Sequence, residues 1–284
     1  MKKFAYIIYF ISVLILTSCG ARSGYFQIEG KFLHMNQGEF YVYSLDGGFE
    51  GMDTIKVQGG RFSFEKPCKE NYTIMIVFPN FSEQHIFAES GKSVDIKADA
   101  SHLKEMEVKG TKTNELMTKF RQSILNDTPP QEKKHAEDFI KANTKSVVSL
   151  YLIRKYFFAN SSPDYDKALS LLALLEKEQG KNPLFGKMKT WATDTRNSSV
   201  GKQLPTFTAY DLNGKMVSSA DLSSAPVAVI YTWASYNYDS QELQRELKRR
   251  QKKANGRLKL MGFCLDASKY ECKQNIKRDS ITSP

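Results

Sequence analysis

Cys264 and Cys272 carry the chemistry nearest to catalysis in this chain. A thiol attacks only as a thiolate, which requires an electropositive setting such as a helix N-terminus. Cys264 closes the apolar run LMGFC, and Cys272 follows eight residues later in a helical stretch. No spacing rule puts either at a helix N-terminus, so they read as one buried and one half-exposed thiol. A displaced redox pair is the sharper alternative. Cys68, in the loop EKPCKEN, reads as a free or partly buried thiol. With Cys19 the four cysteines form no disulfide framework. His34, His85, His102 and His135 share no ligand spacing with one another or with the cysteines, so no metal and no cofactor is expected. G-x-S-x-G, P-loop and H-E-x-x-H patterns are absent from the sequence. Gly91-Lys92-Ser93 has no upstream P-loop glycine and reads as a turn.

The N-terminus carries an address. MKK is a charged head, and FAYIIYFISVLIL is an apolar run of 13 residues. That is short of the roughly 20 residues a membrane-spanning helix needs. The run ends in Leu16-Thr-Ser-Cys19, followed by Gly20 and Ala21, and so resembles a bacterial lipobox. The resemblance implies a signal peptide over 1–18, cleavage before Cys19 and diacylation of its sulfur, with residues 19–24 as a tether. An ordinary secretion signal with a free cysteine is the plainer alternative. Two or three acyl chains would hold the chain on the lipid bilayer, where one would be marginal. No acidic residue follows Cys19 in GARSGYF. By the sorting pattern of such lipoproteins, this points to the outer membrane, facing the periplasm, ahead of surface display. In that oxidising compartment a cysteine pair could bridge.

Length and composition allow two domains: 284 residues, 41% hydrophobic and 25% charged. The net charge of +10, or +8 without Lys2 and Lys3, favours anionic surfaces. Nothing resembles a zinc finger or an RNA-binding sheet, and no nucleic-acid partner is expected. Arg245 to Lys259 carries eight basic residues against one acidic, and reads as a solvated helix face ahead of a lipid-headgroup contact.

Elements follow from periodicity. Residues 25–110 alternate with period two. Ile55 and Val57 face Phe62 and Phe64 across a Gly59-Gly60 turn, and YTIMIVF is continuous enough to be covered on both faces. HIFAESGKSVDIKA reads as a second hairpin around Ser90-Gly91. Six or seven short strands at this spacing predict a β-sandwich. Residues 111–196 switch to helical spacing. Leu116, Phe120 and Ile124 share one face, and Asp127-Thr128-Pro129-Pro130 breaks it. A later helix has Ser162 as N-cap, Pro163 at its first position and Gly180 as C-cap, with Leu169, Leu172, Ala173 and Leu175 as core. After the polar loop RNSSVGKQLP, residues 197–284 read as a hairpin at Asn213-Gly214, then β, α, β, α with parallel strands.

This last order resembles the thioredoxin-like domain of membrane-anchored thiol-disulfide oxidoreductases. GKQLPTFTAYDLNGK resembles its opening hairpin, G-x-x-x-P-x-F followed by D-x-x-G-K. VAVIYTWAS resembles the first central strand and its W-A-S turn, and LMGFCLD resembles the second strand with its acidic end. RDSITSP resembles the D-S-I-x-W-P run of certain anchored periplasmic lipoproteins, whose N-terminal β-domain of unknown function residues 25 to about 124 also resemble. The resemblance covers 201–284. Leu247 matches a core position of the family's first helix. In that family W-A-S-W is followed by C-x-x-C, a thiolate at a helix N-terminus with a resolving thiol one turn later. Asn237 and Ser240 hold those two places, and neither side chain forms a thiolate, so disulfide exchange through this turn is excluded. The family's further strand pair, with its cis-proline, has no counterpart before Pro284, which reads as a truncated domain with an open strand edge.

The reading is therefore α+β multidomain: an N-terminal β-sandwich, a helical middle and a partial α/β thioredoxin-like C-terminal segment. The expected function is that of a membrane-anchored periplasmic lipoprotein acting as a non-catalytic binding or envelope module. A protein partner would cover the open strand edge. The alternative is a thiol-disulfide oxidoreductase working through Cys264 and Cys272.

Overall fold

The computed structural model describes residues 22–44, 46–266 and 268–278. Cys19 and the expected signal segment lie outside the described residues, as does most of RDSITSP. The chain divides into two compact units, 1–196 and 197–284.

The first unit starts with eight strands: β1 Tyr25–Leu33, β2 Gln37–Ser44, β3 Met52–Gln58, β4 Arg61–Pro67, β5 Tyr72–Val77, β6 Glu83–Ala88, β7 Ser93–Asp99 and β8 Glu107–Lys109. They form one sheet in the order β6-β5-β2-β3-β4-β1-β7-β8, not the two sheets of a sandwich. Alternation puts one side chain in two on the inner face. Because Phe26, Phe40, Ile55, Phe64, Ile74, Ile86, Ile96 and Val108, drawn from all eight strands, share one buried cluster, the sheet curls nearly into a barrel. Period two is common to both architectures, so the pattern alone cannot separate them. Phe32, Phe40, Phe62 and Phe78 stack at the centre, with ring centroids 4.9–5.9 Å apart.

Gly59 and Gly60, at φ +58° and +72°, turn β3 into β4 as the sequence predicts. The expected hairpin at Ser90-Gly91 does not form. β7 instead pairs parallel with β1, at the other side of the sheet from β6. A tight Glu89–Lys92 turn has the same local signature whether or not the strands it joins are neighbours. Gly30 of β1 lies opposite Phe62 of β4. The Phe62 ring occupies the space of the absent side chain, 2.2 Å from where a Cβ would stand.

A sheet that stops short of closure leaves two unpaired rims, β6 and β8. Helix α1, Lys112–Ser123, lies against both. Asn114 accepts from the Phe87 N–H at 3.0 Å and donates to the Phe87 carbonyl at 2.7 Å, as a neighbouring strand would. One turn on, the Thr118 hydroxyl accepts from the Val108 N–H at 3.0 Å and donates to its carbonyl at 3.1 Å. Both side chains are buried. The i, i+4 spacing that places them on one helical face makes this double attachment possible.

Among the described residues four more helices follow: α2 Pro129–Ala142, α3 Val147–Ile153 running into a π-turn at Arg154–Phe158, α4 Tyr165–Gln179 and α5 Pro183–Asn197. The sequence reading treats Pro129-Pro130 only as a breaker. Here the two prolines begin α2 behind a Thr128–Gln131 capping box, because the first helical turn needs no proline N–H. The N-cap of α4 is Asp164, whose carboxylate accepts from Lys167 N–H at 2.9 Å, and not Ser162. In α4, Leu171, Leu172 and Leu175 are buried and Leu169 is partly buried, while Ala173 is exposed. The helices share a second core with Phe87, which points outward from β6.

The second unit holds a short antiparallel pair, β9 Thr208–Tyr210 with β10 Met216–Ser218, then α6 Ser219–Leu222. β11 Val227–Trp233, α7 Tyr238–Lys253, β12 Leu258–Cys264 and α8 Lys269–Arg278 follow, with β11 and β12 parallel. Its core is small: Tyr231, Trp233, Leu260 and Cys272, with Leu247 partly buried beside them. Among the described residues no helix is long and apolar enough to cross a membrane.

Asn114→Ala and Thr118→Val each strand a buried N–H and carbonyl on one rim. Each is expected to lower unfolding free energy by about 1–3 kcal/mol in urea titrations, at unchanged m-value.

Candidate functional site

The turn between β11 and α7 is a self-contained cap. Asn237 stands at the N-cap in extended conformation, and its Oδ1 accepts from Ser240 N–H at 2.8 Å. Ser240 Oγ accepts from Ala234 N–H at 3.1 Å. Its single proton has the Asn237 carbonyl at 2.8 Å or the Ala234 carbonyl at 3.2 Å to go to. The two side chains thus close the turn and satisfy orphan backbone groups at the helix head. This is where the helix dipole would favour an anion, yet both positions are occupied by neutral groups already committed to the backbone.

The turn is tied to the end of β12 through Asp266, whose carboxylate accepts from Ser235 N–H at 2.7 Å. Burial works against its charge. Hydrogen bonds from the Ser235 backbone and hydroxyl, Cys264 and Asn275 outweigh that and hold the carboxyl below its usual range.

Cys264 and Cys272 come together, hydrogen-bonded to each other as free thiols. Cys272 is buried and Cys264 half-buried. Desolvation, with the Cys272 contact, pushes Cys264 up to about 12, and burial raises Cys272 as well. A nucleophilic thiol needs a shift in the opposite direction. Cys68 is buried in the first unit, donates to the Glu70 carbonyl at 3.3 Å and is likewise raised by burial. The histidines stay apart: His34 and His102 face Asp99, His135 pairs with Asp127, and His85 is buried. Among the described residues no three metal-ligating side chains converge. In the basic run, Glu246 pairs with Arg249 and Arg250, and Arg245 pairs with Glu242.

A second polar site, missed by the sequence reading, lies in the first unit. Gln84 of β6, Arg121 of α1, Glu132 of α2, and Lys155 and Tyr156 of the π-turn border a cavity of about 100 Å³. Arg121 is 5% exposed, and only its Nη1 has a partner, Gln84 Oε1 at 3.4 Å. Desolvation lowers its pKa to about 10, which leaves it a cation at neutral pH. Desolvation also lowers Lys155. Glu132 opposes that shift, and the Arg121 and Lys104 charges add to it. Burial, followed by Glu132, raises the Tyr156 phenol, which donates to Glu132 at 3.3 Å. Nearby, burial and the Lys155, Arg154 and Arg121 charges keep His85 neutral. Its ring lies 3.7 Å from that of Tyr151, and neither nitrogen has a partner. The available signal was a basic residue at 121, on the face that carries Asn114, Met117 and Thr118.

Asn237→Ala is expected to cost about 1 kcal/mol of stability in the second unit, read by urea titration. The Cys264 thiol binds its proton more tightly folded than unfolded. Its stabilising contribution is therefore intact below about pH 9 and lost as pH rises toward 12. Urea midpoints at pH 8 and about pH 10 are expected to diverge less in Cys264→Ser than in the parent chain. Native Cys264 is expected to resist iodoacetamide at pH 8 until urea unfolds the chain.

Residues 26–117 match the profile of a family described as Domain of unknown function (DUF4369). The match runs from β1 into α1 and takes in Asn114, ending one residue before Thr118. No curated protein and no solved structure matches the chain.

Proposed function

We propose that this chain is an envelope lipoprotein, held on the outer membrane through acylated Cys19 and facing the periplasm, whose folded part binds and does not catalyse. The observation that carries the non-catalytic reading is the Asn237–Ser240 cap. An amide and a hydroxyl, both bonded to backbone, occupy the helix head where thioredoxin-like enzymes keep their sulfurs. The hairpin followed by parallel β11 and β12 around α7 is consistent with a partial thioredoxin-like segment. Among the described residues β11 and β12 pair only with each other, and Val227 and Ile230 are exposed on β11. This supports a protein partner that adds to the sheet. The alternative, dithiol exchange through Cys264 and Cys272, has their proximity in its favour and their raised pKa values against it.

Two measurements test this. In cells fed a palmitate analogue, the parent chain is expected to be labelled and Cys19→Ala is not; label persisting in the variant overturns the anchor. In an insulin-reduction assay with dithiothreitol, the mature chain is expected to add nothing to the uncatalysed rate. Turnover abolished by Cys264→Ser would establish the oxidoreductase instead.

A further inference from the structure

Most of the chain's positive charge sits in the second unit. Residues 197–284 carry 14 lysines and arginines against 8 aspartates and glutamates, a net +6 of the whole chain's +10. Eight of those cations stand between Arg245 and Lys259. The first half of this run is self-neutralised: Arg245 pairs with Glu242, and Arg249 and Arg250 pair with Glu246. The second half differs. Lys252 and Lys253 end α7, Asn255 and Gly256 turn the chain at φ +45° and +81°, and Arg257 and Lys259 flank the entry into β12. All four cations are exposed. Among the described residues none of the four forms an ion pair with a carboxylate. Glu246 and Asp221 sense the Lys253 and Lys259 charges through space without pairing to them.

The helix dipole favours cations in the last turn of α7, which suits Lys252 and Lys253. Its effect fades beyond that turn and gives no reason for Arg257 and Lys259. Cations at this density repel one another. Burial lowers the pKa of Lys248, and the Lys252 charge adds to the shift. An external surface carrying negative charge relieves that repulsion.

The surroundings of the four cations narrow the partner. SSAPVAV at 223–229 and QKKANGRLK at 251–259 hold no aromatic ring on which a nucleic-acid base could stack. β11 begins beside the cluster, where Val227 donates its N–H to the Arg257 carbonyl at 3.2 Å. Val227 is 55% exposed, and Pro226 before it is exposed too. Cations around a small apolar spot match a bilayer interface, where phosphates meet the first acyl carbons.

We propose that this end of the second unit docks on anionic phospholipid headgroups, with Lys252, Lys253 and Arg257 on the phosphates, Lys259 adding charge and Val227 as the apolar element. The contact stands apart from acylation of Cys19, which the palmitate labelling reads separately.

The test is vesicle co-sedimentation of the mature chain carrying Cys19→Ala, so that no acyl chain holds it to lipid. Vesicles with about 30% phosphatidylglycerol in phosphatidylcholine are expected to bind it roughly tenfold or more tightly than phosphatidylcholine alone. That binding is expected to fall steeply between about 50 and about 500 mM NaCl. The triple variant Lys252→Gln, Lys253→Gln, Arg257→Gln is expected to bind at least about tenfold more weakly. A control triple, Lys202→Gln, Lys215→Gln, Lys269→Gln, removes the same charge from other exposed positions of the unit and is expected to change binding less than about threefold. A single-stranded oligonucleotide at equal phosphate concentration is expected to leave most of the chain on the vesicles. The proposal is overturned if the two vesicle types bind alike, if salt has no effect, or if the control triple loses as much as the first. An oligonucleotide that strips the chain from the vesicles overturns it in favour of a nucleic-acid surface. If the first triple does not fold, Arg257→Gln alone decides, and parent-like binding there overturns the proposal.

Discussion

Every backbone N–H and carbonyl taken out of water must find a partner, and in the first unit this rule bears hardest on two short stretches of rim. The eight-stranded sheet curls around a phenylalanine-rich core but never brings β6 into register with β8. Asn114 and Thr118 stand in for the missing ladder. An asparagine amide has one acceptor and one donor face, which is what an adjacent peptide would offer Phe87. A threonine hydroxyl does the same for Val108. Because both sit on α1, the helix is bolted to two rims at once. The remaining helices then pack on a platform whose position is set. The sheet's outer face at Phe87, the second core and the cavity beside Arg121 all depend on that placement.

The cavity is a by-product of the same geometry. α1 crosses from rim to rim, so the turn beyond Thr118 overhangs β6, and Arg121 is carried into a space with no room for water around its Nε and Nη2. The π-turn at Arg154–Phe158 faces it with Lys155 and Tyr156. An extra residue in a helical turn changes the direction of every side chain after it. This is how one helix directs Tyr151 at His85 and, a few residues later, puts Lys155 and Tyr156 on the cavity wall.

What could be read from the sequence was what period and turn chemistry encode. Alternation located the strands, glycine pairs located the β3–β4 turn, and the run from Tyr72 to Val77 is buried along nearly its whole length. Strand order was not legible. The Glu89–Lys92 turn looks local, yet it sends the chain to the far side of the sheet, because pairing is decided by the whole core and not by the turn. The rim attachments were hidden for a related reason. Asn and Thr in a helix normally signal weak propensity or an outward face, and only the fold shows what they touch. In the second unit the strand-turn-helix around Trp233 could be located. That Asn237 and Ser240 lock the turn, and that Cys264 and Cys272 meet beneath it, required coordinates.

Phe62 and Gly30 form one object divided between two strands. The aromatic ring fills a hollow that exists only because the opposite residue ends at its α-carbon, with 2.2 Å where a methyl would have to fit. Neither position can drift alone: a larger residue at 30 evicts the ring, and a smaller one at 62 opens a void in the barrel wall. Among related sequences the two are therefore bound to vary as a pair, a correlated signature by which this ladder register could be recognised where no other similarity survives.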